Sequence, residues 1–274
     1  MNLLKTFFLL FLQLGLFINA DGQDSITYRV LPAAYKSLEK CNQPKEFTFG
    51  ELKVTAINTG FISTDHAFPE PVFVWLVSSP EGHFLIDAGL SPEVLNKKYF
   101  EGFSQYFFRH EFQFFIYPEN NLLNQLEKLG VKESNLKAIL LTHAHFDHIG
   151  YLPWLKSVKV IMTRKEEEQV KESGQLAGYQ KNTSTIIGMK RVEGVEIEKG
   201  ELKALNSVIR LLRVDEHTKG HEMILIELKD GKRLLFTGDL NIEKMDKDSE
   251  LYKFLDQKIG LASCKTFFNH CGAL

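Results

Sequence analysis

The sequence predicts an α/β fold in which two β-sheets pack together and helices lie on the outside. Each half of the 274-residue chain mixes strand patterns with helical patterns. The apolar runs at residues 72–77 and 138–141 are continuous, which is typical of strands buried on both faces of a sheet. Two packed sheets with outer helices accommodate both observations.

The elements of the first half follow from local patterns. Residues 47–54 alternate around a glycine and predict a hairpin, and residues 72–77 and 83–86 predict two strands joined by a turn. Leucines at helical spacing predict a helix over residues 121–129 that stops at Gly130. The patterns then predict strands at 138–141 and 159–163, a charged surface helix at 165–172 and a loop at 174–190.

The second half is mostly β. Strands are predicted at residues 192–197, 208–214, 223–228 and 233–237, and an Asp-Gly pair in the turn at 229–232 predicts that the last two form a hairpin. A helix at 249–259 and a final strand at 266–268 complete the predicted order.

Composition and charge limit the class of protein. The chain is 44% hydrophobic and 25% charged, an ordinary globular balance that excludes collagen, low-complexity disorder and polytopic membrane proteins. The formal net charge is −2, so nucleic acid is not an expected partner, because phosphate binding needs clustered cations. We expect one folded domain over residues 21–274.

The first 20 residues have the order of a secretory signal peptide. A short basic start precedes the apolar run at 6–18, and Ala20 is followed by a polar stretch. The run is shorter than the ~20 residues of a spanning helix, although an uncleaved anchor is the alternative. We therefore expect a secreted or periplasmic protein that is not attached to a membrane after cleavage at residue 20.

The cysteine count is odd. Cys41, Cys264 and Cys271 leave at least one thiol outside any internal bridge. Buried thiols are the favoured interpretation, and a bridge between Cys264 and Cys271 or one involving Cys41 is the alternative.

The strongest chemical signal is the run His143-x-His145-x-Asp147-His148. Imidazoles and carboxylates are the ligands that Zn²⁺ and similar cations prefer. Six residues cannot wrap a single tetrahedral ion with every donor, so a division between two ions is natural. The alternative is a histidine-rich surface turn.

Further donors stand at the ends of predicted strands, namely Asp87, His217, Asp239 and His270. Each alone is weak evidence, because an aspartate at a strand end more often caps a turn or helix. Together with the histidine run they form an ordered series, as expected of a site built on a rigid sheet.

This order of donors resembles the metallo-β-lactamase superfamily over roughly residues 48–271. Three features resemble its N-acyl-homoserine lactonase branch: the His-Phe-Asp-His-Ile-Gly form of the metal loop, the segment His217-Thr218-Lys219-Gly220-His221, and Phe268-Asn269-His270. The branch usually carries proline where this chain has Lys219, and tyrosine where it has Ile242.

The resemblance implies a four-layer αβ/βα sandwich with two divalent metal ions, zinc being expected and manganese, iron or cobalt being the alternatives. His143, His145 and His217 would hold one ion, Asp147, His148 and His270 the other, and Asp239 would bridge both. Asp87 would lie behind these ligands and orient one of them. A hydroxide between the ions would attack the carbonyl carbon, with Asp147 and Asp239 as the catalytic residues.

The expected function is hydrolysis of a small-molecule lactone, resembling an acyl-homoserine lactone, or of a related ester. Asp239 argues against a β-lactam substrate, because true β-lactamases of the superfamily lack an aspartate there. A glyoxalase-II-like thioesterase or an arylesterase on the same scaffold is the enzymatic alternative. A metal- or ligand-binding protein without turnover is the alternative from another class.

The segment at residues 99–117 is rich in aromatic side chains. One interpretation is an apolar wall for an acyl or aryl substrate, which two subunits of a homodimer could share. The other interpretation is simple packing in the core or in a subunit interface.

Overall fold

The computed structural model describes residues 29–64, 68–80, 82–96, 99–100, 108, 110–173 and 191–268. The predicted signal peptide, the loop at 174–190, Cys271 and the candidate ligand His270 lie outside the described residues, so those expectations stay predictions. Within the described residues, no helix combines the length and the apolar character needed to cross a membrane.

The described strands are distributed over both halves of the chain, as the sequence predicts. They are β1 Lys45–Phe49, β2 Leu52–Thr64, β3 Glu70–Ser79, β4 Gly82–Ile86, β5 Phe112–Phe115, β6 Leu136–Leu140, β7 Val160–Thr163, β8 Val192–Val195, β9 Leu202–Ala204, β10 Ile209–Arg213, β11 Glu222–Glu227, β12 Arg233–Phe236 and β13 Cys264–Phe267.

The described helices are α1 Leu122–Lys128, α2 Arg164–Ser173 and α3 Glu250–Ile259. Short 3-10 helices span Ala33–Asn42, Pro92–Leu95, Pro118–Asn120, Glu133–Asn135, Ile242–Lys244 and Leu261–Ser263. The α-helices begin and end where local chemistry dictates: the Asn121 side chain accepts a hydrogen bond from the Asn124 N–H at the start of α1, and Gly260 ends α3 in the left-handed conformation.

The strands form two sheets. The first has eight strands in the order β1-β2-β3-β4-β6-β7-β8, with β5 paired to β2, and the second has five in the order β13-β12-β11-β10-β9. β4, β6, β7 and β8 run parallel to one another, which places the carboxyl ends of β4 and β6 at the same edge.

Aromatic contacts join the two sheets face to face. The Trp75 ring on β3 lies 5.9 Å from the Phe236 ring and 4.9 Å from the Phe267 ring, centroid to centroid, and these two belong to the second sheet. α1 and residues 149–158 pack on the outer face of the first sheet, and α3 packs on the outer face of the second. The αβ/βα layering that the sequence predicts is therefore confirmed.

The structure differs from the expected elements in four places. β5 and β9 were not predicted, and β2 continues to Thr64, well past the predicted hairpin. The helix α2, predicted as a charged surface helix, buries both Glu166 and Val170. The loop at residues 217–221 covers Glu166, whereas Val170 packs into the apolar core on the outer face of the first sheet.

Arg191 stabilises the turns at residues 149–158, which follow the metal loop. Its guanidinium donates to the Leu152, Leu155 and Val158 carbonyls at 2.6, 2.9 and 3.1 Å. We expect Arg191→Met to lower the free energy of unfolding by about 2 kcal/mol, because three carbonyls lose a charged donor. Urea unfolding checks this, with Lys159→Met as the control, since Lys159 forms only an exposed ion pair with Glu193. Equal losses in both variants would contradict the assigned role.

Candidate metal centre

The ends of four strands bring the candidate site together at one edge of the sandwich. Asp87 follows β4, His143 follows β6, His217 lies between β10 and β11, and Asp239 follows β12. The Asp87 N–H donates to the Leu140 carbonyl at 2.9 Å, which holds the ends of β4 and β6 side by side. The Glu222 N–H donates to the Thr142 carbonyl at 2.9 Å, which joins the two sheets at this edge.

The first donor group consists of His143, His145, His217 and Asp239, whose ligand atoms all lie within 4.8 Å of one another. His145 Nδ1 is 3.0 Å from His143 Nε2 and 2.9 Å from His217 Nε2. Asp239 Oδ2 lies 3.3 Å from His217 Nε2 and 3.7 Å from His143 Nε2. Three imidazoles and one carboxylate therefore face a common point.

The second donor group consists of Asp147, His148 and Asp239. His148 Nε2 is 3.0 Å from Asp239 Oδ1 and 3.6 Å from Asp147 Oδ2. Asp239 belongs to both groups and offers a different oxygen to each. This is the arrangement in which one carboxylate can serve two neighbouring cations.

The electrostatics of the cluster suit a bound cation. Burial, reinforced by His148 and His145, lowers the pKa of His143, and burial together with His217 lowers the pKa of His145 to about 4. Both rings are therefore neutral at pH 7, the state in which imidazole binds a metal. Burial also opposes charge on His148, yet Asp239, Asp147 and Asp87 together raise its pKa well above the ordinary value. These carboxylates attract positive charge that a divalent ion would supply, so the donor set fits such ions.

Asp87 supports the centre from behind. Its carboxylate accepts hydrogen bonds from the Thr142 N–H at 2.8 Å and the Thr142 hydroxyl at 2.9 Å, and its Oδ2 lies 2.9 Å from His148 Nδ1. A His148 ring that donates through Nδ1 presents the Nε2 lone pair to the cluster. Asp87 is fully buried and has φ of +63°, so the backbone turns sharply to place this carboxylate.

The centre is closed on one side and open on the other. His143 and His148 are fully buried, whereas the His217 side chain is 32% exposed and Asp239 is 13% exposed. Phe146, between His145 and Asp147, is buried by aromatic rings of the 99–117 segment, its ring centroid lying 5.3 Å from that of Phe100. Among the described residues of the two donor groups, the side of His217 and Asp239 is therefore the one in contact with solvent.

The structure brings together six of the seven candidate ligands, and the seventh, His270, lies outside the described residues. Asp87 is placed behind His148, as the sequence analysis expects. His221 belongs to neither donor group; burial lowers its pKa to about 3, and its ring lies 5.2 Å from that of His143, centroid to centroid.

The described rings Phe100, Phe108 and Phe114 are buried, which favours the packing interpretation of the aromatic segment.

Sequence reasoning missed two residues of this site. Thr142 contacts both Asp87 and the His143 ring, and its position directly before the histidine run was the available signal. Glu166 accepts a hydrogen bond from the Ala144 N–H at 2.9 Å, inside the metal loop. Its position in a run of three glutamates gave no such signal, because charge runs usually face solvent.

Comparison with known proteins agrees with this geometry. The family model of the metallo-β-lactamase superfamily matches residues 67–254. The chain belongs to the metallo-β-lactamase superfamily. Among curated members of the superfamily, an N-acyl homoserine lactonase from a Bacillus species is 28% identical to it over 199 residues, which covers 71% of this chain and 74% of that protein.

Solved structures of the superfamily share the fold. An N-acyl homoserine lactone hydrolase, with the product N-hexanoyl-L-homoserine bound at its catalytic metal centre, matches with a TM-score of 0.63 and 22% identity, covering 82% of this chain and 94% of that one. AidC, a dizinc quorum-quenching lactonase in complex with a product, matches with a TM-score of 0.58 and 16% identity, covering 83% and 90%. The four-layer sandwich of this chain is thus that of the superfamily.

Proposed function

We propose that this protein is a metal-dependent hydrolase that opens the lactone ring of acyl-homoserine lactones. The observation that carries the proposal is the pair of donor groups that share the Asp239 carboxylate. The Bacillus relative is an N-acyl homoserine lactonase, which supports this substrate class over thioesters and aryl esters.

The proposed cofactor is a pair of divalent ions, zinc in the first instance. The first donor group would hold one ion, and the second donor group, completed by His270, would hold the other. When bound, such a pair polarises an ester carbonyl and lowers the pKa of water, which makes water a nucleophile at neutral pH. The dizinc lactonase AidC supports the choice of metal.

The chain's own residues would then bind, orient and move protons. His217 and Asp239 are partly exposed, so we assign the approach of the lactone carbonyl to their side of the centre, while the buried Phe146 and the rings around it make the metal loop apolar on their side. Asp147 is almost fully buried, and its Oδ2 lies 3.6 Å from His148 Nε2. We assign to Asp147 the acceptance of the proton that the attacking water loses and its transfer to the leaving alkoxide oxygen.

The lactonase branch usually carries a tyrosine three residues after the shared aspartate, but this chain has no tyrosine there to position the substrate carbonyl. That position is Ile242, which is buried against Leu212, Leu255 and the other apolar residues beneath α3. We therefore assign orientation of the substrate to the two donor groups and to the side chains near the partly exposed His217.

A substrate panel tests the proposal. The purified protein is stripped with a chelator, reloaded with Zn²⁺ or Mn²⁺, and assayed on acyl-homoserine lactones of short and long acyl chain, a glutathione thioester, an aryl ester and a phosphodiester. We expect lactone hydrolysis that is lost on chelation and restored by metal. A higher kcat/KM for the thioester would instead identify a thioesterase. Tight lactone binding without turnover of any compound would identify a ligand-binding protein.

A further inference from the structure

The three consecutive glutamates of α2 differ in burial and in their partners. Glu166 is fully buried, Glu167 is 8% exposed and pairs with Arg164 and Lys171, and Glu168 is exposed beside Lys165. A fully buried carboxylate is costly unless each of its oxygens is hydrogen-bonded. Its partners therefore indicate what it does.

The two oxygens of Glu166 bind two different segments of the candidate site. Oε1 accepts a hydrogen bond from the Ala144 N–H at 2.9 Å, and Ala144 lies between His143 and His145. Oε2 accepts a hydrogen bond from the Thr218 hydroxyl at 2.6 Å, and Thr218 follows His217. One carboxylate thus joins the two segments that supply all three histidines of the first donor group.

Two further hydrogen bonds and a close approach hold the 217–221 loop against the N-terminal half of α2. The Thr163 hydroxyl donates to the Gly220 carbonyl at 2.6 Å, and Gln169 Oε1 accepts from the Lys219 N–H at 2.6 Å. A Cβ on Gly220 would lie 2.1 Å from the Glu166 nitrogen, so only glycine allows this approach. Proline at 219 would lack the backbone N–H that donates to Gln169, so a residue other than proline is needed there for this contact.

We propose that Glu166 is a positioning residue that sets the spacing between His217 and the pair His143 and His145. It thereby controls the affinity of the first donor group for its cation and leaves the second donor group near its normal affinity, because the hydrogen bonds from Ala144 and Thr218 tie its carboxylate to the segments that carry the histidines of the first group. This inference rests on the proposed function, because it requires that the two groups bind cations.

Glu166→Met removes both acceptors at similar side-chain volume, and the measurement is cation affinity rather than activity. The purified protein is titrated with Zn²⁺ against a chromophoric chelator, which resolves two stepwise dissociation constants. We expect one of the two dissociation constants to rise by about 10–100-fold, the range usual for residues that orient metal ligands, while the other dissociation constant changes little. Glu166→Gln should retain most of the affinity, because its amide can still accept from Ala144 and donate to the Thr218 oxygen. Glu168→Met, on the exposed side of the same helix, is the matched control.

Double variants identify the affected group. In a His148→Ala background, which leaves the first donor group intact, Glu166→Met should weaken binding of the remaining ion by about the same 10–100-fold. In a His217→Ala background it should leave the ion count unchanged. If Glu166→Met fails to fold, Thr218→Val removes only the Oε2 partner and should weaken the same constant by a smaller factor.

Two results would overturn the inference while leaving the proposed function intact: unchanged dissociation constants in Glu166→Met, or equal weakening of both. Failure of the wild-type protein to bind any divalent ion would instead overturn the proposed function, and this inference with it. Titration of the wild-type protein shows whether the proposed function fails before any variant is measured.

Discussion

Asp239→Ala is expected to reduce the bound metal from two ions per chain to one or none, and to lower lactone turnover by about 10³-fold, the equivalent of roughly 4 kcal/mol. The reason is that Asp239 is the one residue common to both donor groups, with Oδ1 directed at His148 and Oδ2 at His217. Elemental analysis of the dialysed protein and initial rates at saturating lactone measure the two effects.

The control for this variant is Asp248→Asn. Asp248 follows Asp239 closely in the sequence, yet its side chain is 94% exposed and pairs only loosely with Lys253. It should retain both ions and full turnover. A metal content of two ions in Asp239→Ala would show that the shared carboxylate is dispensable, against the proposed dinuclear centre.

Asp87→Asn is expected to weaken cation binding at the second donor group by about 10–100-fold without replacing any ligand. The amide keeps the size of the carboxylate and tolerates the positive φ of residue 87, so the backbone need not move. One carboxylate oxygen becomes an NH₂ group, which cannot accept the hydrogen bonds that Thr142 and His148 Nδ1 make. Stepwise Zn²⁺ dissociation constants measure the change.

Asp215→Asn is the matched control, because Asp215 also has a positive φ, of +58°, and also follows a strand. Its carboxylate pairs with the Arg213 guanidinium at 2.6 Å rather than with the cluster. The control should therefore keep both dissociation constants. If the two aspartate variants lost affinity equally, the effect would arise from the strand-end backbone and not from the Asp87 carboxylate.

Much of the fold could be predicted because local patterns agreed with tertiary structure. The strand at β3 is a continuous apolar run, and Gly231, with φ of +81°, forms the turn between β11 and β12 that the Asp-Gly pair indicates. β5 was missed because it lies inside an aromatic segment without alternation, and β9 because it has three residues. In both cases pairing with a neighbouring strand, rather than local propensity, makes the strand.

The candidate ligands could be identified because strand ends are where a sheet presents polar groups, and His217 and Asp239 stand there with distinctive side chains. Glu166 could not be identified in the same way. Its burial depends on the docking of α2 against the loop at residues 217–221, about 50 residues later in the chain. No pattern within the helix indicates that contact. Whether the six gathered side chains and His270 bind two ions stays a prediction.

The donors come from the edges of both sheets, and so from both halves of the polypeptide. A nascent chain that stops before residue 215 already carries the whole histidine run, yet it possesses neither His217 nor the carboxylate that the two donor groups share. The two donor groups are therefore complete only after the strands of the second sheet have docked on those of the first.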